Sequence, residues 1–304
     1  MLHVVNLRDG IEIHKALGSK VRVQIMELML ENDGINLNEI ANRLNLTNGA
    51  LTGHIKKLED AGLIALNKSY EGKSNHKIYK VTYDRVLTEM RSEKVEHNVY
   101  QAEIKPGLYT DFQVYPTCGI ATPESVIGDY DDPRYFLDPN RANAELLWFS
   151  KGYVEYILPS IIPKSQRIDQ ISVSAELSSE APGSNDFYPS DIHFSINGTE
   201  LGHWTSPGDF GNVRGRYTPE WWSITSNQYG LLKNLEINHV GTFIDSVRIS
   251  AVTIDDLRLT SDSTIRFRLS VPEDAEHSGG LTIYGRNFGN FEQDIRVQIF
   301  YSPL

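Results

Sequence analysis

The stretch Leu46-Thr47-Asn48-Gly49-Ala50-Leu51-Thr52-Gly53-His54-Ile55-Lys56-Lys57-Leu58-Glu59-Asp60-Ala61-Gly62 sets Leu51, Ile55 and Leu58 at four- and three-residue spacing. That spacing is the buried stripe of an α-helix. Thr47 stands where an N-cap is wanted, because its short oxygen can accept from a free N–H of the first turn, and Gly62 stops the helix. Asn48, Thr52 and Lys56 then share another face, with Gly49 and Gly53 beside them. Upstream, Ile11-Glu12-Ile13-His14-Lys15-Ala16-Leu17 reads as one helix closed by Gly18, and Val21, Ile25, Leu28 and Met29 as the stripe of a second. Asn36-Leu37-Asn38-Glu39 has capping-box spacing and opens a short helix through Arg43. Downstream, residues 63–66 and 77–81 read as a two-stranded β-ribbon around a polar turn, and 84–95 as a linker helix. Lys105-Pro106-Gly107 marks the passage to a second domain.

Helix, tight turn, helix and ribbon make a winged helix-turn-helix, whose second helix enters the major groove of double-stranded DNA. Asn pairs with adenine through two hydrogen bonds, Thr reaches base edges or methyl groups, and Lys meets phosphate. The expected DNA-binding set is Asn48, Gly49, Thr52, Gly53, His54 and Lys56 on the helix, with Lys73, His76 and Lys77 on the ribbon. Whole-chain charge, −11, hides this. Residues 43–80 carry seven Lys and Arg against three Asp and Glu, whereas residues 98–304 are net −12. All four Trp, all eleven Phe and twelve of fifteen Tyr also lie beyond residue 97. The chain is therefore predicted to hold two differently built domains, 1–97 and 98–304.

His14-Lys15-Ala16-Leu17-Gly18-Ser19-Lys20-Val21-Arg22-Val23-Gln24-Ile25, together with Leu46 to Ile64, resembles the ArsR-type winged-helix regulators. The resemblance implies binding to an operator. Metal sensing in that family uses cysteine ligands on the helix before the recognition helix, and residues 36–43 contain none. Metal sensing by that route is not expected. Longer blocks, among them Ser206-Pro207-Gly208-Asp209-Phe210-Gly211 and Asn227-Gln228-Tyr229-Gly230-Leu231-Leu232-Lys233, resemble a subgroup with a large C-terminal β-domain. In bacteria that subgroup is associated with carbohydrate-utilisation genes, and its β-part resembles galactose-binding-type jelly rolls.

Beyond about residue 150 the hydrophobic period is two. Ile171, Val173, Ala175 and Leu177 alternate, as do Ile192, Phe194 and Ile196; Ile265, Phe267, Leu269 and Val271; and Ile295, Val297 and Ile299. Asn197-Gly198 specifies a tight hairpin turn. The predicted fold is α+β multidomain, an N-terminal winged helix followed by an antiparallel β-sandwich or jelly roll. A sugar offers an apolar ring face and a rim of hydroxyls, so its site wants aromatic rings flanked by charged and amide groups. Trp204, Asp209, Arg214, Tyr217, Trp221, Trp222, Gln228 and Tyr229 fall within one Gly-rich stretch and form the expected ligand site. Two readings of that stretch stand side by side: a carbohydrate effector site, or core tryptophans with turn and ion-pair residues around them. In the second, the β-domain is an oligomerisation or protein-interaction module without a small-molecule ligand.

No P-loop, dinucleotide fingerprint, nucleophile elbow or H-E-x-x-H occurs, so no enzymatic activity and no cofactor are expected. Asp129-Tyr130-Asp131-Asp132 is an acidic turn short of a recognisable Ca²⁺ loop, and no metal site is expected. The single cysteine, Cys118, lies in an apolar stretch and reads as a buried thiol. Without a membrane-spanning run or a signal peptide, the expectation is a cytoplasmic regulator, homodimeric because two half-sites multiply operator affinity.

Overall fold

The computed structural model describes residues 2–7, 9–32, 35–67, 78–83, 85–89 and 98–304. The chain divides into two compact units, residues 1–94 and 95–304, three residues before the expected boundary. None of the described helices is long and apolar enough to cross a membrane.

The first unit begins with β1 (Leu2–Asn6) and α1 (Ile11–Leu17), followed by α2 (Lys20–Glu31), α3 (Leu37–Arg43) and α4 (Asn48–Asp60). The expected caps are in place. Asn36 Oδ1 accepts from the Glu39 backbone N–H at 3.0 Å, and Thr47 Oγ1 from that of Ala50 at 3.3 Å. Ile25, Met29, Ile40, Leu51, Ile55 and Leu58 meet in one core. β2 (Ile64–Leu66) and β3 (Tyr79–Val81) pair antiparallel as the ribbon. Its tip, with Lys73, His76 and Lys77, lies outside the described residues.

The linker helix expected over 84–95 is corrected by the structure. Arg85–Glu89 is a strand, β4, parallel to β1 with Leu2 opposite Arg85 and Asn6 opposite Glu89. Residues 84 and 90–95 lie outside the described residues. Val86 and Thr88 are β-branched and favour extended backbone. The edge of β1 offers them hydrogen-bond partners that no local pattern announces.

The second unit is a sandwich of β5 (Asn98–Ile104), β6 (Asp111–Ala121), β7 (Leu146–Leu158), β8 (Gln166–Ser178), β9 (Ser190–Ile196), β10 (Thr199–Ser206), β11 (Leu231–Ile237), β12 (Thr242–Ile244), β13 (Val247–Ser250), β14 (Ile265–Val271), β15 (Leu281–Tyr284) and β16 (Ile295–Pro303). One layer runs β10-β9-β14-β7-β6 and the other β5-β16-β8-β11-β12-β13, with β15 bridging the ends of β7 and β8. All these pairings are antiparallel. The four alternating runs of the sequence supply the shared core, where Phe194 and Phe267 stack at 6.4 Å. Gly152 illustrates how tightly β6 meets β7. Its φ is +109°, and a Cβ there would stand 1.8 Å from the Gln113 carbonyl oxygen.

β8 departs from simple alternation. Its polar positions Ser172, Ser174, Glu176 and Ser178 are as buried as its apolar ones. Residues 285–294 close over two of them: Gln293 Nε2 donates to Ser174 Oγ at 2.8 Å, and Glu176 accepts from the backbone N–H groups of Asn290 and Phe291. Gly230 N donates to the same carboxylate at 2.8 Å. Burial outweighs these donors and pushes the Glu176 carboxyl up to about 8.

Candidate functional site

α4 presents two faces. Leu51, Ile55 and Leu58 are buried, and Asn48, Gly49, Thr52, Gly53 and Lys56 are exposed together. A Cβ on Gly49 or Gly53 would meet nothing within 4 Å, so that side of the helix backbone is open to a large partner. The Thr52 hydroxyl donates to the Asn48 carbonyl at 2.8 Å, leaving its methyl and oxygen lone pairs for contact. His54 departs from the expected surface set: it is half-buried, and its Nδ1 is enclosed without a hydrogen-bond partner. Arg43 is held by Glu39 at 2.6 Å on the exposed side of α3.

In the second unit, the loops 182–188, 207–213 and 221–229 are tied together. Asn185 and Asp209 form a β-bridge, as do Phe210 and Tyr229, and Gln228 N donates to the Phe210 carbonyl at 2.7 Å. The structure sorts the expected ligand residues into three kinds. Asp209, Trp222 and Gln228 are buried, so direct contact of these side chains with a surface ligand is corrected. Trp222, 3% exposed, packs on Trp148 and Phe288 and donates from Nε1 to the Asn227 carbonyl. Gln228 Nε2 donates to the carbonyls of Ser223 and Ser226, and Asp209 Oδ2 accepts from Ala181 N at 3.0 Å. Burial pushes the Asp209 carboxyl up to about 7.

Trp204 and Arg214 are committed elsewhere. Trp204 lies on β10 against the sandwich core with Lys233 Nζ 4.5 Å above its ring. Arg214 spans its own loop to the carbonyls of Pro219 and Trp222. Tyr217, Trp221 and Tyr229 remain accessible. Trp221 is 41% exposed, with its indole N–H on the Pro123 carbonyl at 2.6 Å. Tyr229 stacks on Phe210, centroids 5.3 Å apart, and its hydroxyl donates to Asn212 Oδ1 at 3.3 Å. Asn212 Nδ2 in turn donates to Asp186 Oδ2 at 2.9 Å. Phe187, next to Asp186, is 88% exposed. Asn212, Asp186 and Phe187 carry no signal in the sequence, since no spacing shows that 186 meets 212. The acidic turn at 129–132 is internally used: Asp131 accepts from Cys118 N and Asp132 from Arg134. Cys118 is fully buried, and its thiol is pushed up to about 12.

An N-capped helix presenting an open polar face, carried on a three-helix core with a β-ribbon, defines a winged-helix DNA-binding domain of a transcriptional regulator. Residues 21–84 match the family described as winged helix DNA-binding domain. The chain is 33% identical over 76 residues to the uncharacterized HTH-type transcriptional regulator MJ0229 of Methanocaldococcus jannaschii, covering 25% of this chain and 79% of that protein. It belongs to the HTH-type transcriptional regulators. The uncharacterized protein MJ0432 of the same organism is 40% identical over 55 residues, 18% of this chain and 60% of the relative. Among solved structures, HlyU from Vibrio cholerae is similar over 25% of this chain and 76% of its own, at 25% identity and a TM-score of 0.23. CBM51 from Clostridium perfringens GH95, in complex with methyl-galactose, is similar over 65% of this chain and 99% of its own, at 8% identity and a TM-score of 0.27.

The geometry of α4 gives a direct expectation. Asn48→Ala should cost about 1–3 kcal/mol on the cognate operator and relax discrimination at one base. Lys56→Ala should weaken all sequences alike and reduce the salt slope by about one unit. Binding isotherms at several salt concentrations check both; unchanged operator affinity in Asn48→Ala removes that residue from the base contacts.

Proposed function

We propose that this regulator binds its operator as a homodimer of ArsR type, and that its β-domain senses a carbohydrate without transforming it. The observation that carries the ligand reading is the surface made by Tyr229 on Phe210, with Asn212 and Asp186 at its edge. An aromatic face bordered by an amide and a carboxylate matches a sugar's apolar ring face and hydroxyl rim. A ligand that favours one dimer geometry would change the spacing of the two α4 helices. Such coupling is typically about 1–3 kcal/mol and reciprocal, so operator DNA would change sugar affinity by the same factor.

Calorimetry of the full chain against pentoses, hexoses and short oligosaccharides tests the reading. Binding should appear for one class and be lost in Tyr229→Ala, while operator affinity without sugar stays intact. Phe187, Val213 and Ile224, all exposed on these loops, favour a second reading in which the surface docks a protein. Silence across the panel from a folded protein selects that second reading; turnover of a bound sugar would overturn the non-enzymatic one. A sedimentation mass of one chain at operator-binding concentrations would remove the homodimer.

A further inference from the structure

β4 has a neighbouring strand on one edge only. That neighbour is β1, and among the described residues no strand pairs with the other edge. The parallel register sets Val4 opposite Leu87 and Val5 opposite Thr88, so the two strands share two faces. One face is turned to the winged-helix core. Val5 is buried in that core, Val86 packs against it, and the Thr88 hydroxyl lies 3.3 Å from His14 Nε2. Positions 85, 87 and 89 belong to the opposite face, where Leu87 is half-buried and Val4 beside it is 37% exposed.

Two strands make a marginal sheet, and an open edge invites another strand unless Pro, a bulge or an inward-facing charge blunts it. β4 carries no Pro, its pairing with β1 shows no bulge, and its inward positions are Val86 and Thr88. Its charges stand at its two ends and are of opposite sign: Arg85-Val86-Leu87-Thr88-Glu89. Their order selects the partner. With β4 laid antiparallel on a second β4, Leu87 opposite the partner's Leu87, Arg85 stands opposite the partner's Glu89, and Glu89 opposite the partner's Arg85. A two-fold axis through the centre of the strand thus satisfies both charges at once, as a self-complementary contact requires. Opposite charges directly across an antiparallel pair attract, and like charges there repel. A slip of one residue turns the apolar row to the other face, and a slip of two sets Arg85 opposite the partner's Leu87. β1, Leu2–Asn6, has no Asp, Glu, Lys or Arg to fix such a register.

We propose that β4 is the dimer contact of this regulator, joining two copies of the chain through an antiparallel β4–β4 pair into one four-stranded sheet. The inference rests on the homodimer reading and names its surface; it is independent of the sugar reading. Because β4 belongs to the DNA-binding unit, backbone hydrogen bonds across the pair hold the two winged helices, and so the two α4 helices, at a set spacing.

Charge reversal in the full chain, read by sedimentation equilibrium at low salt, tests the pairing. Arg85→Glu or Glu89→Arg alone turns both oppositions into like-charge ones and should weaken association at least tenfold. An equimolar mixture of the two variants restores both attractive oppositions, but only between unlike chains. It should therefore recover a mass of two chains, as should the double variant Arg85→Glu/Glu89→Arg on its own. No repair of folding within a chain produces the recovery in the mixture. Single variants that stay as dimeric as the wild type overturn the β4 contact and leave the homodimer standing. Single variants that are monomeric and stay so when mixed overturn it equally. A wild-type mass of one chain overturns the homodimer and this contact with it.

Discussion

The β-domain unfolds more easily as the pH is raised from about 4 to about 8. All four tryptophans lie in that domain, so tryptophan emission follows its transition alone. Asp209, pushed up to about 7 by burial, holds its proton when folded and releases it near 3.8 when unfolded. Between those values the native state binds more protons than the unfolded chain, so stability falls with rising pH. The favourable contribution is complete below the unfolded value and gone above the folded one. Its size is on the order of 4 kcal/mol for Asp209, at 1.36 kcal/mol per pH unit. Glu176, pushed up to about 8, acts in the same direction. Asp132, Asp191, Asp256 and Glu273 are held below their ordinary values and act oppositely, but in the window below their unfolded values of 3.8 to 4.5. Asp209→Asn should flatten the slope between pH 4 and 7. A slope equal to that of the wild type would show that Asp209 is ionised in the folded protein.

Glu176→Ala should be among the most damaging single changes in the β-domain. Its carboxyl group is the acceptor for Gly230 N, Asn290 N and Phe291 N, and truncation leaves all three without it, the first fully buried and the other two partly so. An orphaned buried N–H costs about 1–3 kcal/mol, so a loss of about 3–6 kcal/mol is expected. Glu176→Gln keeps one acceptor oxygen and the shape, and should lose much less. The midpoint of urea unfolding checks the order, with the slope of the transition unchanged. Equal losses in both variants would mean that packing, not the acceptor, is what Glu176 provides.

Much of the architecture is written locally. The stripe Leu51, Ile55, Leu58 and the caps at Asn36 and Thr47 act within a few residues, and the structure keeps them as read. The alternating runs at 171–177, 192–196, 265–271 and 295–299 place their apolar members in the sandwich core. Failure begins where a partner is distant in sequence. Residues 85–89 fall in the segment expected as a linker helix, yet pair with residues 2–6 as a strand. Of two adjacent tryptophans, Trp222 is core and Trp221 is surface, a choice made by Trp148 and Phe288.

The winged helix with its exposed Asn48, Thr52 and Lys56, and the two-layer antiparallel sandwich, are legible in the chain residue by residue. Both follow from period and capping, which are properties of neighbouring residues. Which polar residues are exposed is set by contacts between distant segments. The residues that alternation assigns to solvent on β8, Ser174 and Glu176 among them, are covered by residues 285–294. Asp209 is enclosed through its bond to Ala181, and Tyr229 is edged by Asn212 and Asp186. Burial of a polar group depends on which loops return over it, and that is fixed by pairing across tens to more than a hundred residues.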